Sequence, residues 1–237
     1  MKRYLFLITL VGLVVSSCSK FKINPSSTVT TEDKGITGFT KLKLRDNINA
    51  YVTFSSENEG VIIEANENIH DRIVVSMVSG ELEIDIKPNT RFRNGAVINT
   101  YITVPYLSRV SAHDASSLTF ENRLETDHLE AIVTDASHFY GELNVDDAFM
   151  KVRDASHIDL AGTCNTLELI CEDASSFEDY SFEVEHLDVF LRDASNAKIT
   201  VNQTLRVTAK DASSLKYKGN PTVDHIDISD ASSVTKM

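Results

Sequence analysis

Seven times the chain sets an aspartate, an alanine and a serine side by side, beginning at Asp114, Asp135, Asp154, Asp173, Asp193, Asp211 and Asp230. The steps between them are 21, 19, 19, 20, 18 and 19 residues. A carboxylate next to a small residue and a hydroxyl offers three kinds of chemistry. The first is structural. Each Asp accepts backbone N–H bonds from the two residues after it, as in an Asx-turn, Ser adds a donor, and Ala fits where a corner leaves no room for bulk. The second is a cation ladder with calcium between neighbouring carboxylates. One ligand type repeated at one height supplies the required oxygens with difficulty. The third is catalysis, which needs unlike groups whose environments push their pKa values apart. A column of equivalent Asp lacks that asymmetry. The structural reading is favoured, with no catalytic, cofactor-binding or metal-binding residue assigned. In register, the seven carboxylates would stand roughly 5 Å apart, and neighbours would repel by about 1 kcal/mol in water, so something must offset them.

Other reactive side chains depart from the repeat. His113-Asp114 and Ser116 imitate triad components but stand too close in sequence to act as base, orienter and nucleophile. His138 and His157 each lie three residues after their Asp. Stacked, they could share a metal or titrate together; otherwise they are exposed turn residues. Tyr140, Tyr180 and Tyr217 are candidates for one outer face that stacks on sugar rings. A carbohydrate-active enzyme would need a carboxylate pair, or a basic residue with calcium, in a groove that breaks the repeat. Arg91, Arg93 and His70-Asp71-Arg72 are the nearest candidates. Cys164 and Cys171 lack the paired spacing of a zinc site and read as two small apolar residues, with a local disulfide left open. The net charge of −12 argues against nucleic acid as a partner.

The elements that must place these groups follow from apolar columns. Four residues before each Asp lie Val110, Ala131, Met150, Leu169, Val189, Val207 and Ile226. Two before lie Ala112, Val133, Val152, Cys171, Leu191, Ala209 and Ile228, and four after lie Leu118, Phe139, Ile158, Phe177, Ala197, Leu215 and Val234. Each period therefore holds a strand, a corner, a second strand and a variable turn. One period cannot bury its own apolar face, but stacked periods can. The expected fold is all-β: a single-stranded, right-handed β-helix, or parallel β-solenoid, with about 19–20 residues per coil. Residues 36–106 alternate with period two less regularly, as in Leu42 and Leu44, Ile48 to Phe54, and Leu82 to Ile86. One short helix is expected near Asn68 to Arg72. The repeats occupy 107–237, so 36–237 is read as one solenoid domain. An open final coil, with only Lys236-Met237 behind it, invites end-to-end pairing into a homo-oligomer.

Lys2 and Arg3 precede the apolar run Tyr4 to Val15, then Ser16, Ser17 and Cys18. Residues 1–17 read as a secretory signal, to be set apart from the fold. Val15-Ser16-Ser17-Cys18 resembles a bacterial lipobox. The resemblance implies cleavage before Cys18, its acylation with chains such as palmitate, and an outer-membrane lipoprotein, periplasm-facing or surface-exposed. Residues 18–35 are polar and read as a flexible tether.

Phe39, the alternating run Leu42 to Phe54, Leu82-Glu83-Ile84, Ile102 to Leu107 and the repeated small-residue turns resemble the auto-transporter adhesin "head GIN" domain family, common in Bacteroidetes lipoproteins. The resemblance covers roughly Gly35 to Val234. Family members more often carry Ser-Gly-Ala at the corner. It implies a β-solenoid and an adhesin role and supplies no catalytic residues. The expectation is a lipid-anchored, non-catalytic adhesin-like or envelope interaction module, held to the membrane by its N-terminal lipid and binding a glycan or protein ligand. The alternatives are a polysaccharide lyase or hydrolase, or a purely structural envelope protein.

Overall fold

The computed structural model describes residues 21–93 and 95–237. The signal over 1–17 and the lipidation residue Cys18 lie outside the described residues. Among those described, no helix is long and apolar enough to cross a membrane.

Each Asp-Ala-Ser corner joins two flanks. The strand entering the corner belongs to an approach flank and the strand leaving it to an exit flank. The first corner lies between β10 (Arg109–Ala112) and β11 (Ser117–Phe120). Next come β12 (Leu124–Val133), β13 (His138–Val152), β14 (His157–Cys171), β15 (Ser176–Leu191), β16 (Asn196–Ala209), β17 (Ser214–Lys218), β18 (Thr222–Ile228) and β19 (Ser233–Lys236). Every pairing among these strands is parallel, and the registers stack like residue on like. Val110, Ala131, Met150, Leu169, Val189, Val207 and Ile226 form one column. Leu118, Phe139, Ile158, Phe177, Ala197, Leu215 and Val234 form another. The fold is the expected β-solenoid. Its columns are buried through β17, because each coil's apolar residues lie under those of the next.

The stack continues upstream of the repeats. On the approach flank, β3 (Lys41–Leu44) pairs with β10, and β7 (Glu81–Ile86) pairs with β3, both parallel. On the exit flank, β4 (Asn49–Phe54) pairs with β11 and β9 (Ile98–Val104) pairs with β4, again parallel. Antiparallel strands then end both flanks. β6 (Ile73–Val78) lies on β7, β5 (Gly60–Asn66) on β9, and β2 (Val29–Asp33) on β5. The expected short helix is a 3-10 turn, Glu67–Arg72, with Ile69 and His70 buried.

One expectation is corrected. Part of the presumed tether is folded. β1 (Phe21–Ile23) pairs with β8 (Thr90–Phe92), and β2 occupies the free edge of β5. The edge needed a partner, and β-branched Val29, Thr30 and Thr31 suit an extended strand. Polar side chains strap the segment down: His70 Nε2 lies 3.1 Å from the Thr30 carbonyl and 3.0 Å from its hydroxyl. Asn66 and Asn68 donate to the carbonyls of Ser26 and Asn24, each at 2.8 Å.

Candidate functional site

The repeated corner is built by the backbone. Asp and Ala of every motif both adopt left-handed conformations, with φ between 53° and 61°. This turn points the peptide between them along the rod. Ala115 N–H donates to Asp135 C=O at 2.8 Å, Ala136 to Asp154 at 2.9 Å and Ala155 to Asp173 at 2.9 Å. Ala174, Ala194 and Ala212 continue the series to Asp193, Asp211 and Asp230, each at 2.8 Å. The seven Asp therefore stand in one file, as their spacing requires. Among the bonds of these corners none is the expected Asx-turn: the Ala N–H is taken by the neighbouring coil, and the Ser N–H that such a turn would use goes to the next serine hydroxyl at Ser116, Ser137 and Ser213 or to the carbonyl three residues back at Ser156 and Ser232. Nor is Ala confined: Asp and Ala are both exposed, and the buried member is Ser.

Those serines make an internal hydroxyl ladder. Ser116 N–H donates to Ser137 Oγ and Ser137 N–H to Ser156 Oγ, both at 3.1 Å. Further along, Ser175 Oγ donates to the Val152 carbonyl at 2.9 Å and Ser195 Oγ to that of Cys171 at 2.7 Å. A buried N–H or C=O left alone costs about 1–3 kcal/mol, so a hydroxyl that can donate or accept suits this position in every coil.

The file of negative charge is relieved at three corners from the residue before the Asp. Arg192 Nε lies 2.8 Å from Asp193 Oδ2, Arg153 Nη2 lies 3.5 Å from Asp154 Oδ2, and Thr134 Oγ1 donates to Asp135 Oδ2 at 2.5 Å. Between them, Glu172 bridges Lys151 at 3.2 Å and Arg192 at 3.1 Å. No group of three or more His, Cys, Asp or Glu gathers as a metal site among the described residues.

An eighth corner was missed by letter matching. Asp46 and Asn47 have φ of 59° and 60°, and Asn47 N–H donates to Asp114 C=O at 2.8 Å. Ile48 replaces Ser, so no Asp-Ala-Ser appears. The column rule does find it: Leu42 and Leu44 lie four and two residues before Asp46, and Ala50 lies four after. Here the file ends beside Asp85 in an open groove of about 570 Å³ that also includes Arg45, Lys87 and Asp114. Burial, a hydrogen bond with Asp85 and the charges of Asp85 and Asp114 push Asp46 up to about 6. That carboxyl keeps its proton to a higher pH than an ordinary aspartate does.

The exit flank carries the outward aromatic residues. Tyr101, Tyr51, Thr119, Tyr140 and Asp159 follow one another in register. Tyr51 and Tyr101 stack with centroids 5.5 Å apart. His138 and His157 are adjacent, with ring centroids 6.2 Å apart, and are half-buried strand residues rather than turn residues. His157 Nδ1 lies 2.8 Å from Ser176 Oγ. Burial, then the charge of Asp179, raises the Asp159 carboxyl above its usual range. Of the three expected outer tyrosines, Tyr217 instead points inward and is buried, because it falls on the core side of β17. Tyr180 lies under Lys218 Nζ, 4.4 Å from its ring centroid. Cys164 and Cys171 are free, buried thiols; burial pushes Cys164 up to about 12 and Cys171 higher still. The remaining candidates, Arg91, Arg93 and His70-Asp71-Arg72, lie at the antiparallel end, where His70 serves as the strap on β2.

A stacked parallel solenoid with antiparallel closing strands defines the class. Residues 38–221 match the family "Putative auto-transporter adhesin, head GIN domain", and the chain belongs to it. Among solved structures, a putative adhesin from Bacteroides fragilis aligns with TM-score 0.82 and 22% identity, over 91% of this chain and 100% of that one. A putative adhesin from Parabacteroides merdae aligns at TM-score 0.72 and 15% identity, over 91% and 99%. A putative lipid binding protein from Parabacteroides distasonis aligns at TM-score 0.66 and 12% identity, over 92% and 100%. At these identities the likeness speaks to the fold alone. No curated protein matches the chain.

Proposed function

We propose that this chain is a lipid-anchored, non-catalytic adhesin-like module of the bacterial cell envelope. The family suggests an adhesin-like protein of the envelope or surface. The lipobox-like Val15 to Cys18 supports an anchor in the outer membrane. The observation that carries the binding reading is the long, regular exit flank, where Tyr101, Tyr51 and Tyr140 are held in one file. Rings on a rigid sheet give contact area at small entropic cost. A glycan or protein at the envelope is the ligand this flank would meet.

The test is whole-cell and glycan-array binding by the full chain and by Tyr51→Ala with Tyr101→Ala. Binding that falls at least about tenfold in the double variant supports the reading. Turnover of a polysaccharide by the purified protein would replace it with an enzymatic one. Mass spectrometry of the mature N-terminus checks acylation of Cys18.

A further inference from the structure

The outward file of the exit flank has one rung without a ring. Tyr101, Tyr51, Thr119 and Tyr140 follow one another in register. Tyr101 and Tyr51 stack with their planes 20° apart, so Tyr51 gives one face to Tyr101 and turns the other toward the rung of Thr119. Tyr140 borders that rung on the far side. Two strand spacings, about 10 Å, separate the backbones that carry Tyr51 and Tyr140. A further ring placed over Thr119 would lie about 5 Å from Tyr51, close to the 5.5 Å that Tyr51 keeps from Tyr101. The stack is also held in advance: Glu64 Oε2 accepts from Tyr101 OH at 3.2 Å and from Asn99 Nδ2 at 2.7 Å, and Asn49 Nδ2 donates to Asn99 Oδ1 at 3.3 Å.

The surroundings of the open rung define what the missing ring is. Asn49, Ser117 and His138 form the adjacent outward column, one polar group per rung. β9, β4, β11 and residues 138–141 contain no Asp, Glu, Lys or Arg, in a chain of net charge −12. The flank turns charged only farther along, at Asp159, Glu178, Lys198 and Lys216. We infer that the rung of Thr119 seats one uncharged pyranose ring of a glycan, with a C–H face on Tyr51 and its hydroxyls toward Asn49, Ser117 and His138. A pyranose combines weakly positive C–H faces, which suit the negative face of an aromatic ring, with a rim of hydroxyls. An aromatic side chain of a protein would cover the polar column and leave it unpaired. An acidic sugar would lose hydration with no cation to meet it. This inference rests on the reading of the exit flank as the binding surface, and narrows that surface to one rung and one ligand class.

The test is binding of the full chain, in a detergent without a sugar headgroup, to an array of neutral oligosaccharides beside sialylated and uronate-containing ones. Neutral glycans should bind at least about tenfold more tightly than acidic ones. Thr119→Tyr, which fills the open rung with a residue favoured in strands, should weaken that binding at least about tenfold. Ser117→Asp, which leaves the rung open and sets a charge at its edge, should weaken it as well. Thr235→Tyr, on β19 at the same column of the flank, should stay within about twofold. Whole cells whose sugar rings have been opened with periodate should no longer be bound. If Tyr51→Ala with Tyr101→Ala abolishes binding while Thr119→Tyr binds as the unaltered chain does, this seat is overturned and the adhesin reading stands. Cell binding that survives periodate, or a preference for acidic glycans, overturns the neutral-sugar assignment. A chain that binds neither cells nor array removes both.

Discussion

The antiparallel end of the rod, a lid made of β2, β5 and β6, and the coils hold themselves together by different means. In the lid, strands turn back on themselves, and side chains such as His70, Asn66 and Asn68 tie distant loops to β2. In the coils, the bonding between corners is made by the main chain and by one buried hydroxyl per turn. The lid can therefore vary residue by residue. The coils tolerate variation on their outer surface while allowing little change at a few inward or left-handed positions.

The largest effect that would sharpen this contrast is expected at glycine. In Gly162→Ala the new methyl would meet the Leu143 carbonyl oxygen at 1.9 Å, at a φ of 110°. A loss of about 3–5 kcal/mol is expected by urea denaturation. Gly60→Ala in the lid meets nothing within 4 Å and should change stability by less than about 1 kcal/mol. Next comes the hydroxyl ladder. Ser137→Ala leaves the Ser116 N–H without its acceptor and should cost about 1–3 kcal/mol. Asp173→Asn, at an exposed position that keeps the left-handed preference, should stay within about 0.5 kcal/mol. If the two variants trade places, the carboxylate and not the hydroxyl holds the corner.

The smallest effects concern charge and turn strain. Asp46 has a folded-state pKa raised above the unfolded one, so its proton is held more tightly in the native protein. Stability should then fall as pH rises from about 4 to about 6. Asp46→Asn should flatten that slope and add about 1 kcal/mol at pH 7, a figure reduced for the solvent screening of an exposed group. Ala174→Gly removes a methyl from a left-handed turn. Relief of that strain is partly offset by the freer unfolded chain, giving a gain of up to about 1 kcal/mol in a thermal melt.

What could be read from the sequence was whatever repeats. The apolar columns specified the coil, its period and the file of Asp without any structure. They also contained the corner at Asp46, hidden only because Ile48 stands where Ser was sought. The roles within Asp-Ala-Ser came out reversed, since three letters do not reveal which side chain faces the core. The closing strands were illegible for another reason. Val29 pairs with Asn66 and Ile73 with Ile86, and no period links such partners. The aromatic file was half-visible: Tyr140 belongs to a repeat, whereas Tyr51 and Tyr101 join it through coils that precede the repeats.

The backbone peg at each corner has a consequence for how this molecule can change length. Because each corner hands one N–H to the next, a whole unit can be removed and the corners on either side can rejoin through the same backbone bond. Excising residues 155–173 would bring Asp154 directly before Ala174 and leave a shorter rod with the same cross-section. The length of the rod is then a quantity that a genome can adjust in fixed increments, about 5 Å at a time, by copying or deleting one unit.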